Sequence, residues 1–356
     1  MKVRFVWDGT GLVAHPAFKA GASSRASAAS RHMRIAVLGA GAIGAYVGAA
    51  LARGGADVHL IARGDNLKAM QRDGVRVLSE RGDFKAHPPA TDDSNDVGPV
   101  DFVFLGLKAN SYASSGPLLE PLLHEETAVV AGQNGLPWWY FHKLEGPYEG
   151  RRIEAVDPDG EVSRVIPPER AIGCVVFAGT ELAEPGVVQH HEGTRFSIGE
   201  PDGSISERCE QFSEAMAAGG LKCPVEQRLR DEIWVKLMGN VVFNPLGVLT
   251  RATLADICRH APTRALAESI MEETCQIAEA VGAKPSVSIE RRLEGAEKVG
   301  DHKSSTLQDL EAGKPLELAA IVDSVVELAD LTDVPAPSLR AVAAASGLLA
   351  ETLGLR

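Results

Sequence analysis

Three polar residues lie four positions apart in an otherwise apolar stretch: Lys236, Asn240 and Asn244. On a helix this spacing places all three side chains on one face, and the apolar residues between Ile233 and Val242 predict that the helix is largely buried. A buried ammonium and two buried amides need hydrogen-bonding partners. A ligand with oxygen atoms, held in a cleft, would supply them. Polar groups on neighbouring helices would also do so, and the spacing does not decide between the two.

A second polar cluster runs from His302 to Asp309 and contains Ser305, and Glu317 follows twelve residues after that serine. Serine before a helical run is often only the cap of the helix. Taken alone, this cluster therefore does not define a site.

A glycine-rich turn follows the short apolar run Arg34–Leu38 and opens an alanine-rich helical stretch. Its members are Gly39, Ala40, Gly41, Ala42, Ile43 and Gly44. A G-x-G-x-x-G pattern between a buried strand and a helix is the context that dinucleotide binding requires. There the first glycine permits the tight turn, the second lets the backbone approach a pyrophosphate, and the third lets the helix pack on the strand. The helix N-terminus favours the phosphates; an ordinary strand–helix turn is the alternative that this context disfavours.

The end of the second predicted strand indicates which dinucleotide is bound. NAD-binding versions place an acid about 20 residues further on to hold the ribose 2′-hydroxyl, whereas this chain has Arg63 at that place. An acid would repel a 2′-phosphate, and an arginine pairs with it. We therefore predict NADP (NADPH) rather than NAD; the alternative is that Arg63 is a solvated surface cation.

The elements that must position these residues fall into two parts. Apolar runs typical of buried parallel strands predict strands over residues 34–38, 58–62, 75–78, 101–107, 128–131, 172–177, 186–190 and 195–199. Helices are predicted over residues 206–218, 228–242, 262–281, 304–311, 315–330 and 338–353. The fold class is therefore α/β, with a Rossmann-type NADP-binding domain over 33–203 followed by an all-α domain over 204–356. The cleft between them is the candidate active site.

Residues 136–168 interrupt the alternation of strands and helices. They contain the aromatic run Trp138-Trp139-Tyr140-Phe141 and a polar stretch rich in glycine and proline. We interpret the segment as an insertion that forms a hairpin or loop. Trp138, Trp139 and Phe141 could shape a lid or pocket wall, or they could belong to a packed hairpin or a dimer contact.

Composition and charge exclude several classes of function. The 356 residues carry a net charge of −12, which disfavours nucleic acid and anionic membranes as partners. The five cysteines have no metal-site or redox-pair spacing, so no metal is expected and free thiols in a reducing cytoplasm are favoured. The first 32 residues are basic and aperiodic, and we interpret them as a disordered extension or a mis-assigned start rather than a transit peptide.

Taken together, these residues resemble the ketopantoate reductase (2-dehydropantoate 2-reductase) family from about Met33 to Leu353. The resemblance is carried by the joint spacing of the glycine turn, Leu107-Lys108-Ala109, Gln133-Asn134-Gly135, Lys236…Asn240…Asn244-Pro245, and Ser304–Asp309 followed by Glu317. It implies that the helical domain is like the C-terminal domain of 6-phosphogluconate dehydrogenase. It also implies that NADPH reduces a small 2-keto acid, above all 2-dehydropantoate to pantoate in pantothenate biosynthesis.

The resemblance also implies roles for the matched residues. Lys236 is similar to the family's catalytic proton donor, and Glu317 is a second catalytic residue. A protonated lysine would stabilise the charge that develops on the ketone oxygen and then donate its proton. The implied substrate ligands are Asn240, Asn244, Ser305 and Asn134. The implied cofactor ligands are the glycine turn, Arg63, Lys108, Asn134, Gly179 and Glu317.

Two positions depart from the family pattern. Leu254 stands where family members often have an asparagine, with Thr250 and Thr253 nearby, and Ala319 stands where an acid is common. These departures keep two alternatives open: a related reductase of a different 2-keto acid or ketone, and a non-catalytic NADP-binding regulator. The pattern leaves a homodimer open.

Overall fold

The computed structural model describes residues 5–7, 12–14 and 33–356. Strands β1 (Phe5–Trp7) and β2 (Leu12–Ala14) pair antiparallel within a first unit, residues 1–32. The remaining residues, 33–356, form a second unit. The prediction of a disordered extension concerns residues that lie mostly outside the described ones, so it stays a prediction.

One mixed sheet of nine strands organises the first half of the second unit. Its strands are β3 (Arg34–Leu38), β4 (Asp57–Ile61), β5 (Val75–Ser79), β6 (Phe84–Ala86), β7 (Ala90–Thr91), β8 (Phe102–Leu105), β9 (Ala128–Ala131), β10 (Ala171–Glu184) and β11 (Val187–Gly199). They lie in the order β6-β5-β11-β10-β9-β8-β3-β4-β7. The run β7-β4-β3-β8-β9 is parallel and has the doubly wound strand order, with its crevice at the carboxyl ends of β3 and β8.

Twelve α-helices in the described residues complete this unit. They are α1 (Ala42–Arg53), α2 (Gly64–Asp73), α3 (Gly116–Leu119), α4 (Glu161–Val165), α5 (Glu207–Ala218), α6 (Leu229–Thr250), α7 (Leu254–Arg259), α8 (Ala261–Ala280), α9 (Ile289–Val299), α10 (Ser305–Glu311), α11 (Ser324–Leu331) and α12 (Pro337–Thr352). A π-helical turn over Ala319–Asp323 leads into α11. The architecture matches the predicted α/β domain followed by an all-α domain.

Two cores cover the two faces of the sheet. One lies under α1 and α5, and the other extends from the opposite face into the helices around α6. Although the prediction assigned α5 to the helical domain, its Phe212 stacks on Phe104 of the sheet. We therefore place the domain boundary between α5 and α6.

Helix α6 is the central helix of the second half. It is long and apolar enough to cross a membrane by length and composition alone, but 72% of its apolar window is buried inside the protein. Burial on nearly every side is typical of a core helix. The predicted helix ended at Val242, whereas α6 continues through Pro245 to Thr250, because packing outweighs the proline's missing N–H.

Several predicted boundaries were wrong. The strands predicted over 186–190 and 195–199 are the single strand β11, which pairs with β10 in a long bulged hairpin. Gly193, which the prediction placed between them, has a φ of +70° within β11, as is usual at a bulge. Helices α2, α7 and α9 were missed; α9 buries only Leu293 and Ala296, so its apolar stripe is too narrow to stand out.

The aromatic segment 136–168 contains α4 and turns but no strand, so its hairpin interpretation was wrong and its loop interpretation was right. Trp138, Trp139 and Phe141 are at most 4% exposed, which argues against both a mobile lid and a dimer contact. Trp234 of α6 donates a hydrogen bond to the Tyr140 hydroxyl at 2.7 Å. The segment therefore joins the sheet to the start of α6.

Candidate active site

The glycine turn lies at the end of β3, where the backbone must reverse tightly. Gly39 has a φ of +92°, a region that favours glycine. A Cβ on this residue would lie 2.6 Å from Cδ2 of Leu107. Its N–H and that of Ala40 both donate to the Ile61 carbonyl, at 3.1 and 3.0 Å. The turn is therefore held by backbone bonds to β4 and leaves no room for a side chain.

Gly41 and Gly44 differ in what surrounds them. A Cβ on Gly41 would meet no non-neighbouring atom within 4 Å among the described residues, whereas one on Gly44 would overlap the carbonyl oxygen of Gly39. Gly41 is the N-cap of α1 and makes no side-chain cap bond, so the partly exposed start of the helix at Ala42 and Ile43 is open to a ligand. The turn therefore fits a bound pyrophosphate.

Asn66, which sequence reasoning missed, supports the turn from α2. Its side-chain amide donates to the Ala40 carbonyl at 2.7 Å, and its side-chain oxygen accepts the Gly186 N–H at 2.8 Å. The residue thus ties the glycine turn to the β10–β11 hairpin. A polar residue in the first turn of the missed helix α2 was the available signal.

Arg63 is exposed and directly precedes α2, two residues after β4 ends. In the part of the chain that the structure describes, its side chain makes no ion pair or hydrogen bond. A cation at the carboxyl end of the second strand of a βαβ unit stands where the adenosine ribose lies. Its position fits a 2′-phosphate.

Lys236 lies half-buried on α6 and points its ammonium toward the sheet. Its Nζ donates to the Val176 carbonyl at 2.7 Å. Burial lowers the pKa of Lys236 to about 8, an effect that Cys174 and Glu317 oppose and that the Arg292 cation reinforces. The ammonium is therefore poised to lose a proton near neutral pH.

A small cavity opens beside Lys236. Its walls come from the sheet, from the 133–139 loop and from α6; they are Ala131, Gln133, Gly135, Pro137, Trp139, Cys174, Val175, Ile233, Lys236 and Leu237. Trp139 is the one member of the predicted lid trio among these lining residues. The Gln133 side-chain oxygen is buried without a partner among the described residues; sequence reasoning named Gln133 within a family motif but gave it no role.

The two asparagines of the polar face continue along α6 from Lys236. Asn240 is partly buried, and Asn244 is 3% exposed. Within residues 33–356, the Asn244 side-chain nitrogen is buried and has no hydrogen-bond partner. Buried donors are rarely left unpaired. Lys236 is thus satisfied by the Val176 carbonyl and Asn244 is not fully satisfied by the described residues, and the free Asn244 donor favours the ligand interpretation at that end of the face.

Lys108, Asn134 and Glu317 come together at a junction between the two halves. Lys108 pairs with Asp309 at 2.7 Å and donates to the Pro315 carbonyl at 2.9 Å. Glu317 accepts the Ala109 N–H at 3.2 Å, and Asn134 is near enough to the Glu317 carboxylate to lower its pKa. Burial raises the pKa of Glu317, although the Ala109 bond and the Lys108 charge oppose that rise.

The loop that carries Asn134 docks on the π-helical turn. The Leu136 N–H donates to the Ala320 carbonyl at 2.8 Å, and Gly135, with a φ of +81°, lies so close to that carbonyl that a Cβ would overlap it. π-helical turns occur frequently at functional sites. Ala319, the departure from the family pattern, is the first residue of this turn.

Two predicted ligands are not brought into contact with the others. Ser305 is exposed in the first turn of α10, and the preceding Ser304 is the buried cap that accepts the Leu307 N–H. Gly179 lies on β10 opposite Glu192 of β11. Their assignment as substrate and cofactor ligands stays a prediction.

The surroundings of Leu254 add no polar replacement for the missing asparagine. The Thr250 hydroxyl donates to the Leu246 carbonyl at 2.6 Å. Thr253 forms a capping box with Asp256 at the start of α7. The Thr250 hydroxyl is therefore bonded to the backbone and the Thr253 hydroxyl caps a helix, so neither is available to a ligand.

Comparisons with known proteins give one consistent result. A family model described as "Ketopantoate reductase PanE/ApbA" matches residues 35–203, and its C-terminal counterpart matches residues 228–350. A relative from Mesorhizobium japonicum named 2-dehydropantoate 2-reductase is 45% identical over 323 residues, 90% of this chain and 99% of that protein. The crystal structure of 2-dehydropantoate 2-reductase from Geobacter metallireducens, 30% identical, matches with a TM-score of 0.78 and covers 89% of this chain and 100% of its own. The chain therefore belongs to the ketopantoate reductase family.

Proposed function

We propose that this protein uses NADPH to reduce a small 2-keto acid, 2-dehydropantoate, to the corresponding 2-hydroxy acid. The relative from Mesorhizobium japonicum carries that activity in its name and matches nearly its whole length. The observation that carries the proposal is the polar face of α6: a half-buried Lys236 with a lowered pKa and an Asn244 amide without a partner among the described residues. These are groups that a keto acid would satisfy.

The cofactor is held mainly by backbone. We assign the pyrophosphate to the glycine turn at Gly39–Gly44, and the 2′-phosphate to Arg63. Lys108, Asn134 and Glu317 lie at the junction on the far side of the crevice, where they would border the nicotinamide. When bound, NADPH supplies the hydride for the ketone carbon.

Lys236 supplies the proton. With a pKa of about 8, its Nζ holds a proton at neutral pH and releases it more readily than an ordinary lysine. The Val176 carbonyl fixes the direction of the ammonium, and the Glu317 carboxylate favours its charged form. As the ketone oxygen gains negative charge, the ammonium stabilises it and then transfers the proton.

We assign the remaining substrate oxygens to amides and a hydroxyl. Asn240 and Asn244 follow Lys236 at one-turn intervals on α6, and α10, which carries Ser305, packs against the same helix. Asn134 reaches the cleft from the sheet. Holding the keto acid against the bound cofactor would itself supply much of the acceleration.

A second candidate function has one observation in its favour. Leu254 stands where family members often have the polar side chain of an asparagine. The hydroxyls of Thr250 and Thr253, which could replace it, already make other hydrogen bonds. A cleft that is less polar there would accept a 2-keto acid with a more apolar tail. This candidate keeps the same chemistry and the same catalytic lysine.

NADPH oxidation by the full-length protein with a panel of 2-keto acids tests these candidates. We expect 2-dehydropantoate to give the highest kcat/KM and Lys236→Met to abolish turnover without weakening NADPH binding. Faster turnover of a bulkier, more apolar keto acid would favour the second candidate. NADPH binding without turnover of any keto acid would contradict both and favour a regulator.

We also infer a cytoplasmic location. All five cysteines are free and four of them are buried. Burial raises the pKa of Cys174 to about 12, so this thiol beside Lys236 is inert as a nucleophile. Free thiols in these numbers are typical of a reducing compartment.

A further inference from the structure

Arg292 is a charged side chain that the family motifs do not include. It lies in the first turn of α9, and its guanidinium rests on Gly239 of α6. Its Nε is buried without a hydrogen-bond partner, and within residues 33–356 the side chain has no ion pair. Burial lowers the pKa of Arg292. Burying a guanidinium without a partner costs free energy unless a bound ligand supplies the missing hydrogen bonds and the opposite charge.

Gly239 makes room for this guanidinium. A Cβ at this position would overlap the Nη2 atom of Arg292, and glycine is otherwise unfavourable inside a buried helix. Gly239 lies three residues after Lys236 and directly before Asn240. The guanidinium therefore reaches α6 within one turn of the proton donor.

Among the residues that the structure describes, no acid pairs with Arg292. Glu232, one turn before Lys236, pairs instead with Arg195 at 2.9 Å. The Arg292 charge consequently acts on Lys236 as a neighbouring cation. Lys236 on α6 and the Arg292 guanidinium that α9 places on Gly239 bring two positive charges to the same part of α6, which favours an anion there.

We propose that Arg292 binds the carboxylate of the substrate and so makes the cleft specific for a keto acid over a neutral ketone. The assignment rests on the proposed function. In a 2-keto acid the carboxylate and the ketone oxygen sit on adjacent carbons, so their two partners must lie close together; the Arg292 guanidinium rests on Gly239, three residues from Lys236 on the same helix. A planar guanidinium matches a carboxylate with two parallel hydrogen bonds.

A substrate pair tests this proposal: 2-dehydropantoate and its neutral methyl ester, each assayed with NADPH. We expect Arg292→Gln to lower kcat/KM for the acid by about 10²-fold, because a buried charge partner is lost, and to change the ester by less than about threefold. Arg291→Gln is the matched control, since Arg291 is the exposed neighbour on the same helix. It should leave both substrates unchanged.

Gly239→Ala tests the same idea without deleting the charge. The added methyl group must displace the guanidinium, and we expect it to reproduce the selective loss for the acid. Gly295→Ala on α9 is the control, because a Cβ there meets no non-neighbouring atom of the described residues within 4 Å. An equal loss for acid and ester in either Arg292→Gln or Gly239→Ala, or no loss in Arg292→Gln, would overturn the proposal.

A binding measurement separates this proposal from the proposed function. If the wild-type protein turns over neither compound, the proposed function fails. Arg292 is then judged by calorimetric titration of the NADP-loaded protein with 2-dehydropantoate. Binding at least tenfold weaker to Arg292→Gln than to wild type supports the carboxylate site, and equal binding or no binding to wild type overturns it.

Discussion

The glycine turn and the polar face of α6 use opposite kinds of group. At Gly39–Gly44 the missing side chains matter: Gly44 has no room for a Cβ, and Gly41 has open space before it. On α6 the side chains matter, and the Asn244 amide has no partner among the described residues. The first region is thus shaped by the absence of side chains, and the second by side chains that a ligand can contact.

This difference predicts that substitutions in the glycine turn lower stability, whereas substitutions on α6 lower activity without lowering stability. Changing the volume of the glycine turn disturbs packing that the fold needs. Removing Lys236 from α6 takes a charge out of a half-buried place, and such charges are commonly retained for function at some expense of stability. Substitutions in the two regions should therefore have opposite effects on the free energy of unfolding.

Lys236→Met should give the largest effect on activity. We expect kcat to fall by about 10²- to 10⁴-fold, the range for loss of a positioned proton donor. The melting temperature should stay constant or rise, since a half-buried charge is replaced by an apolar side chain of similar length. Steady-state kinetics and calorimetry on one preparation check both effects; a clear drop in melting temperature would break the contrast between the regions.

Gly44→Ala should have the converse effect. Its Cβ would overlap the Gly39 carbonyl, so we expect the free energy of unfolding to fall by about 1–3 kcal/mol, with weaker NADPH binding. Gly41→Ala is the matched variant, because its Cβ meets nothing among the described residues. It should leave unfolding unchanged and weaken only NADPH binding. Denaturant titration would contradict this account if the two variants were equally stable.

Arg63→Ser should change cofactor choice and little else. Removing one charge-assisted contact to a 2′-phosphate is worth about 1.5–3 kcal/mol, which corresponds to a fall of at least about tenfold in the NADPH/NADH ratio of kcat/KM. Unfolding should be unaffected, since Arg63 is exposed. A wild-type protein that already prefers NADH would refute the assignment of this residue.

The pH profile between pH 7 and pH 8 should show the smallest effect. Lys236 loses its proton as the pH rises through its pKa of about 8. Because the reaction consumes that proton and this pKa is that of the protein without ligand, kcat/KM should halve near pH 8 and fall about tenfold for each further unit. Cys174, with a pKa of about 12, titrates too high to cause this fall. A profile that stays flat to pH 10 would remove Lys236 from the proton-transfer step.

Sequence reasoning succeeded where function depends on neighbours along the chain. The glycine turn and the one-face spacing of Lys236, Asn240 and Asn244 are local patterns, and the predicted elements placed them correctly. It failed where the partners come from distant segments. Arg292 reaches Gly239 across more than fifty residues of sequence, and Asn66 supports the turn from an unpredicted helix, so no spacing rule connects them.

Single residues and short runs of sequence also suggested the wrong local structure at two places. The predicted strands left residues 191–194 between them, but Gly193 is a bulge inside one strand, because the long β10–β11 ladder outweighs a single left-handed residue. The aromatic run after Asn134 was compatible with a lid, a hairpin or an interface. Only its burial between the sheet and α6 shows that it is core.

The hydrogen bond from the Leu136 N–H to the Ala320 carbonyl joins the loop that carries Asn134 to the helix that follows Glu317. The two walls of the cleft are therefore mechanically coupled at one end, and any opening wide enough to separate them must first break this bond. The exchange of that one amide hydrogen with deuterium consequently reports the frequency of such openings. Exchange that is slow compared with turnover would mean that substrate enters and product leaves from the other end, between the β10–β11 hairpin and the helices.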